Sequence, residues 1–229
     1  MFSIITPLDT NRLEQFKVTK QAYDAMPQKK EFLIPTREIE KVDAYLTKNR
    51  LLRNVEFIPY EHQRGFNCSK ALNWGVRNAA YDHIVITSPE VKPTTDVLGQ
   101  FKQELGKNLI CQVWDENDSG KVMASLVHKG YRDDTPAMYF LALFNKSDIE
   151  KINGWDEDFM KGYAYEDNDF GERWNRAGLP FEVREDIQGV HQYHPRTETI
   201  RGGMATNKIK FDDNNDKGII TPENGLKQV

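Results

Sequence analysis

Short apolar runs alternate with helical patterns through the first half of the chain. Phe2–Ile5, Phe32–Ile34, Val55–Ile58 and Ile84–Thr87 are β-branched or aromatic runs of a few residues, the pattern of buried strands. Between them, Arg12–Met26, Glu38–Asn49 and Ser69–Ala79 read as helices. Asp9 or Thr10 is placed to cap the first helix, Pro27 to stop it, and Pro35 to end the second strand. Strand–helix alternation predicts a mostly parallel sheet with helices on both faces. Ligands of such sheets bind beyond the carboxyl ends of the strands, which selects the loops Thr6–Asp9 and Ser88–Lys92.

The pattern changes in the second half. Leu109–Trp114 and Val122–Val127 flank the turn-rich Asp115–Gly120 and predict a hairpin. Met138–Asn145 is a further apolar strand; Ser147 is placed to cap a short helix that Asn153-Gly154 ends. Asp167–Arg176 reads as a helix closed by Gly178 and Pro180, followed by short strands at Phe181–Val183 and Val190–Tyr193. This divides residues 1–196 into two halves, 1–107 and 108–196. In residues 197–229 apolar content falls, and a loop-rich tail or lid is expected.

Composition narrows the class without naming a function. The chain has 229 residues, enough for a real core, with 38 % hydrophobic and 29 % charged residues, which excludes a disordered or fibrous chain. A net charge of −4 gives no global attraction to nucleic acid. Met1–Pro7 is too short and lacks the basic leader of a signal peptide, and no run approaches the roughly 20 apolar residues of a membrane span. Cys68 and Cys111 stand in no metal or redox spacing. A soluble, cytoplasmic protein is expected, with a bacterial or viral source in keeping with its compactness.

The richest chemistry lies at Gly162-Tyr163-Ala164-Tyr165-Glu166-Asp167-Asn168-Asp169-Phe170. Placed at a helix start, with about 100° per residue, Phe170, Trp174 and Ala177 share a stripe that faces the core. Asp167 lies beside that stripe and aims inward, Glu166 lies at its edge, and Asp169 points away and is expected to be solvated. Acids at a helix start are also favoured by the macrodipole alone. An inward acid among aromatic residues is a candidate general base, because burial raises its pKa, although the helix dipole acts in the opposite direction.

Two blocks carry a family resemblance. Tyr139–Trp155, ending in Ile152-Asn153-Gly154-Trp155 and running on to Tyr163–Arg173, resembles the catalytic region of β-1,4-galactosyltransferases and related family 2-like enzymes of the GT-A fold. Phe66-Asn67-Cys68-Ser69-Lys70-Ala71-Leu72-Asn73-Trp74-Gly75 is similar to their donor-binding block. The resemblance implies an α/β, Rossmann-like GT-A domain with a smaller mixed, antiparallel acceptor-side part. It implies an inverting transfer of a sugar from a nucleotide diphosphate, UDP first, to a hydroxyl of a glycan or other acceptor. Asp167 takes the place of the base and Glu166 that of an acceptor-binding acid, with Tyr163 and Trp155 on the acceptor side. Thr6, Pro7, Arg12, Phe66, Lys70, Asn73, Ser88 and Glu90 take donor-side places.

The family's Asp-x-Asp metal motif reads Ser88-Pro89-Glu90 here, so its first acid is missing. Glu90 with His191, or His194 in its place, is the implied ligand set. It suits Mn²⁺ ahead of Mg²⁺, since imidazole favours the former. A metal-free site using Lys92, Arg64 or Lys70 against the phosphates stays open. So do two other functions. One is a GT-A domain that binds nucleotide-sugar or glycan without turnover. The other is a phage-type transferase acting on hydroxymethylated DNA bases, with Arg196, Arg201, Lys208 and Lys210 as phosphate contacts.

Overall fold

The structure, a computed structural model, describes residues 1–59, 67–125, 140–159, 164–195 and 200–227. The four apolar runs of the first half become β1 (Phe2–Ile5), β2 (Lys30–Thr36), β3 (Val55–Pro59) and β4 (His83–Thr87). They lie parallel in the order β3-β2-β1-β4, with Ile4 opposite Phe32 on one side and Val85 on the other. Helices α1 (Leu13–Asp24), α2 (Ile39–Lys48) and α3 (Cys68–Asn78) connect or cover them. Pro35 does not end β2; it sits past the last pairing with β1, Ile5 opposite Leu33, where its missing N–H costs little. A single 3₁₀ turn, Thr10–Arg12, precedes α1, and Asp9 makes no side-chain cap there because its carboxylate is paired with Arg37 at 2.7 Å.

The second half continues the sheet with mixed direction. β6 (Leu109–Glu116) and β7 (Val122–Ser125) form the expected hairpin; residues 126 and 127 lie outside the described residues. β8 (Leu141–Asn145) inserts antiparallel between β4 and β6. The two short strands expected around residues 181–193 are one long strand, β9 (Glu182–His191), parallel to β6 with an irregularity between Cys111 and Gln112. That irregularity and the charged run Arg184-Glu185-Asp186 hide the strand's continuity from a hydrophobic pattern. β5 (Val91–Pro93), a three-residue strand, pairs antiparallel with β9, and α4 (Val97–Gln103) follows it. Among the described residues this makes one nine-stranded sheet. No helix of theirs is long and apolar enough to cross a membrane.

The short helix α5 (Lys146–Lys151) starts one residue before Ser147, with Asn145 in the cap position. α6 (Glu166–Arg176) follows the expected stripe: Phe170 and Trp174 are fully buried. Phe170 stacks on Trp155 at 4.1 Å and meets Phe144 edge-on at 5.7 Å. Burying side chains of this size contributes about 1.5–3 kcal/mol each.

The largest departure is at the C-terminus. In place of a loop-rich tail, Ile200–Asp216 forms a helix, α7, packed against α6. Its inward residues are Asn207, Lys210, Phe211 and Asn214, so the buried stripe is mostly polar and leaves no apolar period to read. The same helix corrects the reading of Asp169, which is 1 % exposed, not solvated. Its carboxylate accepts from Arg173 Nε at 2.6 Å and from Asn214 Nδ2 at 2.7 Å.

Asn73 and Trp155 also differ from expectation. Asn73 is fully buried; its amide donates to the Trp155 carbonyl at 2.8 Å and accepts from the Trp155 N–H at 2.9 Å. It ties α3 to the loop ahead of α6 and is spent on that bond, not on a donor. Trp155 is buried beneath Phe170 and has no surface for an acceptor. Gly154 turns the chain here at φ 65°, and a side chain at that position would collide with the Asn73 amide. Asn73→Ala is expected to cost about 2–4 kcal/mol, because it strands two buried backbone groups at once. Urea unfolding monitored by tryptophan fluorescence checks this.

Candidate active site

β5 and β9 bring the first set of chemical groups together. Their antiparallel register sets Val91 opposite His191, and the Gln192 N–H closes on the Glu90 carbonyl at 2.9 Å. The Gln192 side chain also donates to the Gln15 carbonyl at 3.1 Å, which fastens this corner to α1. Glu90 Oε1 consequently lies 3.4 Å from His191 Nε2 and 3.5 Å from His194 Nε2. The Arg12 guanidinium reaches the same oxygen at 3.9 Å. Burial raises the Glu90 carboxyl, but the bonds from His191 and His194 and the charges of His191 and Arg12 outweigh it and hold it down at about 2. Its second oxygen, Oε2, is buried and has no partner among the described residues.

Asp115 belongs with this cluster and was not singled out by the sequence. The parallel register of β6 and β9 places it opposite His191, and its carboxylate lies 3.1 Å from His191 Nδ1. This orients the ring so that Nε2 faces Glu90, an arrangement typical of metal-ligating histidines. The only sequence signal is a polar residue at the end of an apolar strand. Phe140 meets the His191 ring edge-on at 5.8 Å and fixes its plane. Ligand atoms of Glu90, His191 and His194 all lie within 4.8 Å of one another. One carboxylate and two imidazoles, with an unpartnered buried oxygen, fit a divalent transition ion better than Mg²⁺.

The second set of groups is the start of α6. Ala164 and Tyr165 precede it, both in the left-handed region at φ 69° and 72°. Two consecutive non-glycine residues there cost of order 1–3 kcal/mol each, a cost borne where the surrounding structure fixes the turn. The turn presents Glu166 and Asp167 side by side and half-buried. Burial raises Asp167 to about 6, against backbone N–H groups of Asn168 and Asp167 that favour its ionised form. Burial also raises Glu166, to about 8, with the Asp167 charge as the second cause. The two titrate as a pair, with the Asp167 charge opposing ionisation of Glu166.

Cys68 links the two sets. It is the first residue of α3, and burial pushes its thiol well up, with the charges of Glu166, Asp167 and Glu90 adding in that order. The charges of both sets therefore reach the same thiol. Thr6 is buried at the end of β1, its Oγ1 without a partner among the described residues, Pro7 is buried beside it, and Ser88 is 8 % exposed ahead of Glu90. Lys70 lies in the first turn of α3, while Lys92 projects to solvent from β5. Arg64, Phe66, Tyr163 and Arg196 lie outside the described residues, as does the side chain of Arg201. Lys208 and Lys210 of α7 are engaged with acids, Lys208 with Asp212 at 2.6 Å and Lys210 with Asp156 at 3.0 Å.

With this geometry in hand, comparison with known proteins gives a consistent result. Residues 126–203, about a third of the chain, match the family described as the N-terminal domain of galactosyltransferase. A glycosyltransferase of uncharacterised specificity from Bacillus subtilis, YfnE, is 38 % identical over 94 residues, covering 37 % of this chain and 23 % of that protein. The mannosyltransferase PcManGT from Pyrobaculum calidifontis, solved with GDP-Man and Mn²⁺, superposes with a TM-score of 0.65 at 12 % identity, covering 94 % of this chain and 64 % of that one. TarS residues 1–349 of S. aureus with UDP-GlcNAc give a TM-score of 0.65 at 11 % identity, covering 91 % and 66 %. The chain therefore has the GT-A glycosyltransferase fold, and the galactosyltransferase-like stretch includes the acidic helix. It spans about a quarter of the Bacillus relative.

The raised carboxyls have a consequence for stability. Their ordinary values are 3.8 and 4.5, so above those pH values the folded state keeps protons that the unfolded chain has lost. Stability therefore falls as pH rises toward about 8. Asp167→Asn is expected to raise the melting temperature at pH 8.5, by a gain of about 1–2 kcal/mol after allowing for partial solvent access. The gain should vanish near pH 4. Equal melting of variant and wild type at both pH values would contradict the buried-acid description.

Proposed function

We propose that this chain is an inverting glycosyltransferase that moves a sugar from a nucleotide diphosphate, UDP first, to a hydroxyl-bearing acceptor. The observation that carries this reading is the raised Asp167 carboxyl, whose charge reaches Cys68 together with that of Glu90 in the Glu90–His191–His194 cluster. In this reading Asp167, ionised above about pH 6, accepts the proton of the acceptor hydroxyl. The freed oxygen attacks the anomeric carbon on the face opposite the diphosphate. The bond from that carbon to the phosphate oxygen breaks, and its electrons leave with the diphosphate. Glu166, still protonated near neutral pH, donates a hydrogen bond to the acceptor sugar.

Glu90, His191 and His194 would hold a divalent ion, Mn²⁺ in preference, which supplies charge neutralisation for the leaving diphosphate when bound. Arg12, beside Glu90, offers a guanidinium to the same phosphates. The donor pairing rests on two supports of different reach. The galactosyltransferase-like segment and the TarS complex favour UDP-sugars, whereas the PcManGT complex holds GDP-Man, so GDP-mannose belongs in any donor panel.

The test is nucleoside diphosphate release over a panel of UDP-sugars and GDP-mannose, with Mn²⁺ and with chelator. Release is expected with Mn²⁺, and Asp167→Asn should lower kcat by about 10²–10⁴-fold. kcat/KM should fall as pH drops through about 6, because protonation removes the base. Full turnover in Asp167→Asn would refute the mechanism. Metal-insensitive donor binding without turnover would identify a binding domain instead.

A further inference from the structure

α7 reaches the start of α6 through side chains that share one face. Asn207, 2 % exposed, donates from Nδ2 to the Ala164 carbonyl at 2.8 Å. Phe211, one turn further on and fully buried, sets its ring 5.5 Å from that of Tyr165. Asn214, 5 % exposed, divides its amide between Asp169 at 2.7 Å and Asp156 at 3.1 Å. Lys210 closes the set on Asp156 at 3.0 Å and Asp158 at 3.6 Å. Two of these contacts, from Asn207 and Phe211, fall on Ala164 and Tyr165, the residues held in the left-handed region. A turn of that kind reverts to an ordinary conformation unless something outside it holds it.

We propose that Asn207 and Phe211 of α7 are positioning residues for the acid pair, locking the Ala164–Tyr165 turn so that Glu166 and Asp167 keep their place at the start of α6. Neither residue touches substrate in this arrangement; they act through the turn. The proposal rests on the reading of Asp167 as base for its effect on catalysis, but its structural half stands apart from it.

The experiment combines amide hydrogen exchange with kinetics on Asn207→Ala, Phe211→Leu and a control, Ile209→Ala. Ile209 is 71 % exposed on the same helix. In the first two variants exchange across residues 164–170 should rise about tenfold or more, with β1 and β4 unchanged. With the UDP-sugar that gives the highest release, kcat should fall about 10–100-fold at nearly constant donor KM. The acid limb of the kcat profile should also move below pH 6, as a loosened pair gains water. Ile209→Ala should change none of these. Unchanged exchange at 164–170 in both variants, or equal losses in the Ile209 control, would overturn the proposal. If wild type releases nucleotide from no donor, the transfer reading fails, and the exchange data alone decide the positioning.

Discussion

Arg173 and Asp169 form an ion pair one helical turn apart with both side chains almost wholly removed from water. Such a pair is costly to desolvate and persists where further hydrogen bonds support it. Here the support comes from three separate segments. Arg173 donates to the Ile152 carbonyl at 2.9 Å, Asp169 accepts from Asn214 at 2.7 Å, and Asn214 also engages Asp156 at 3.1 Å. The pair thus joins α5, the loop after it, α6 and α7. On the adjoining face of α6, Phe170 and Trp174 bind it to the sheet. A helix fixed on both faces can carry a strained turn and two adjacent carboxylates at its N-terminus without swinging away.

The second anchor is the ladder that brings β5 beside β9. Three residues of β5 suffice, because the Gln192 amide and the backbone bond to Glu90 finish the join. Without that pairing Glu90 and His191 are 101 positions apart in sequence and have no reason to meet. With it, one carboxylate, two imidazoles and the orienting Asp115 converge. The sheet side of the site therefore carries a metal-suited cluster, and the start of α6 carries the acid pair.

How much of this could be read in advance varies with how apolar the buried faces are. The parallel half of the sheet was legible, because β1 and β4 are largely buried and appear as mostly apolar runs. The inward stripe of α6 was legible for the same reason. α7 was not, because what it buries is Asn207, Lys210 and Asn214 around a single Phe211. Missing that helix is also why Asp169 was expected in solvent: the face opposite the apolar stripe is covered by a polar one. Glu90 and the histidines were found through resemblance, whereas Asp115 depends on strand register, which the sequence does not display. Asn73 and Trp155 matched a family pattern by position, yet their burial makes them part of the frame.

In the proposed reaction Asp167 activates the acceptor oxygen for direct displacement at the anomeric carbon. The stereochemistry of the product tests it most directly. With an α-linked UDP-sugar and the acceptor that supports highest turnover, proton NMR of the new glycosidic linkage should show the β anomer from the first turnovers onward. An α-linked product would mean that configuration is retained, and would contradict the direct displacement assigned to Asp167.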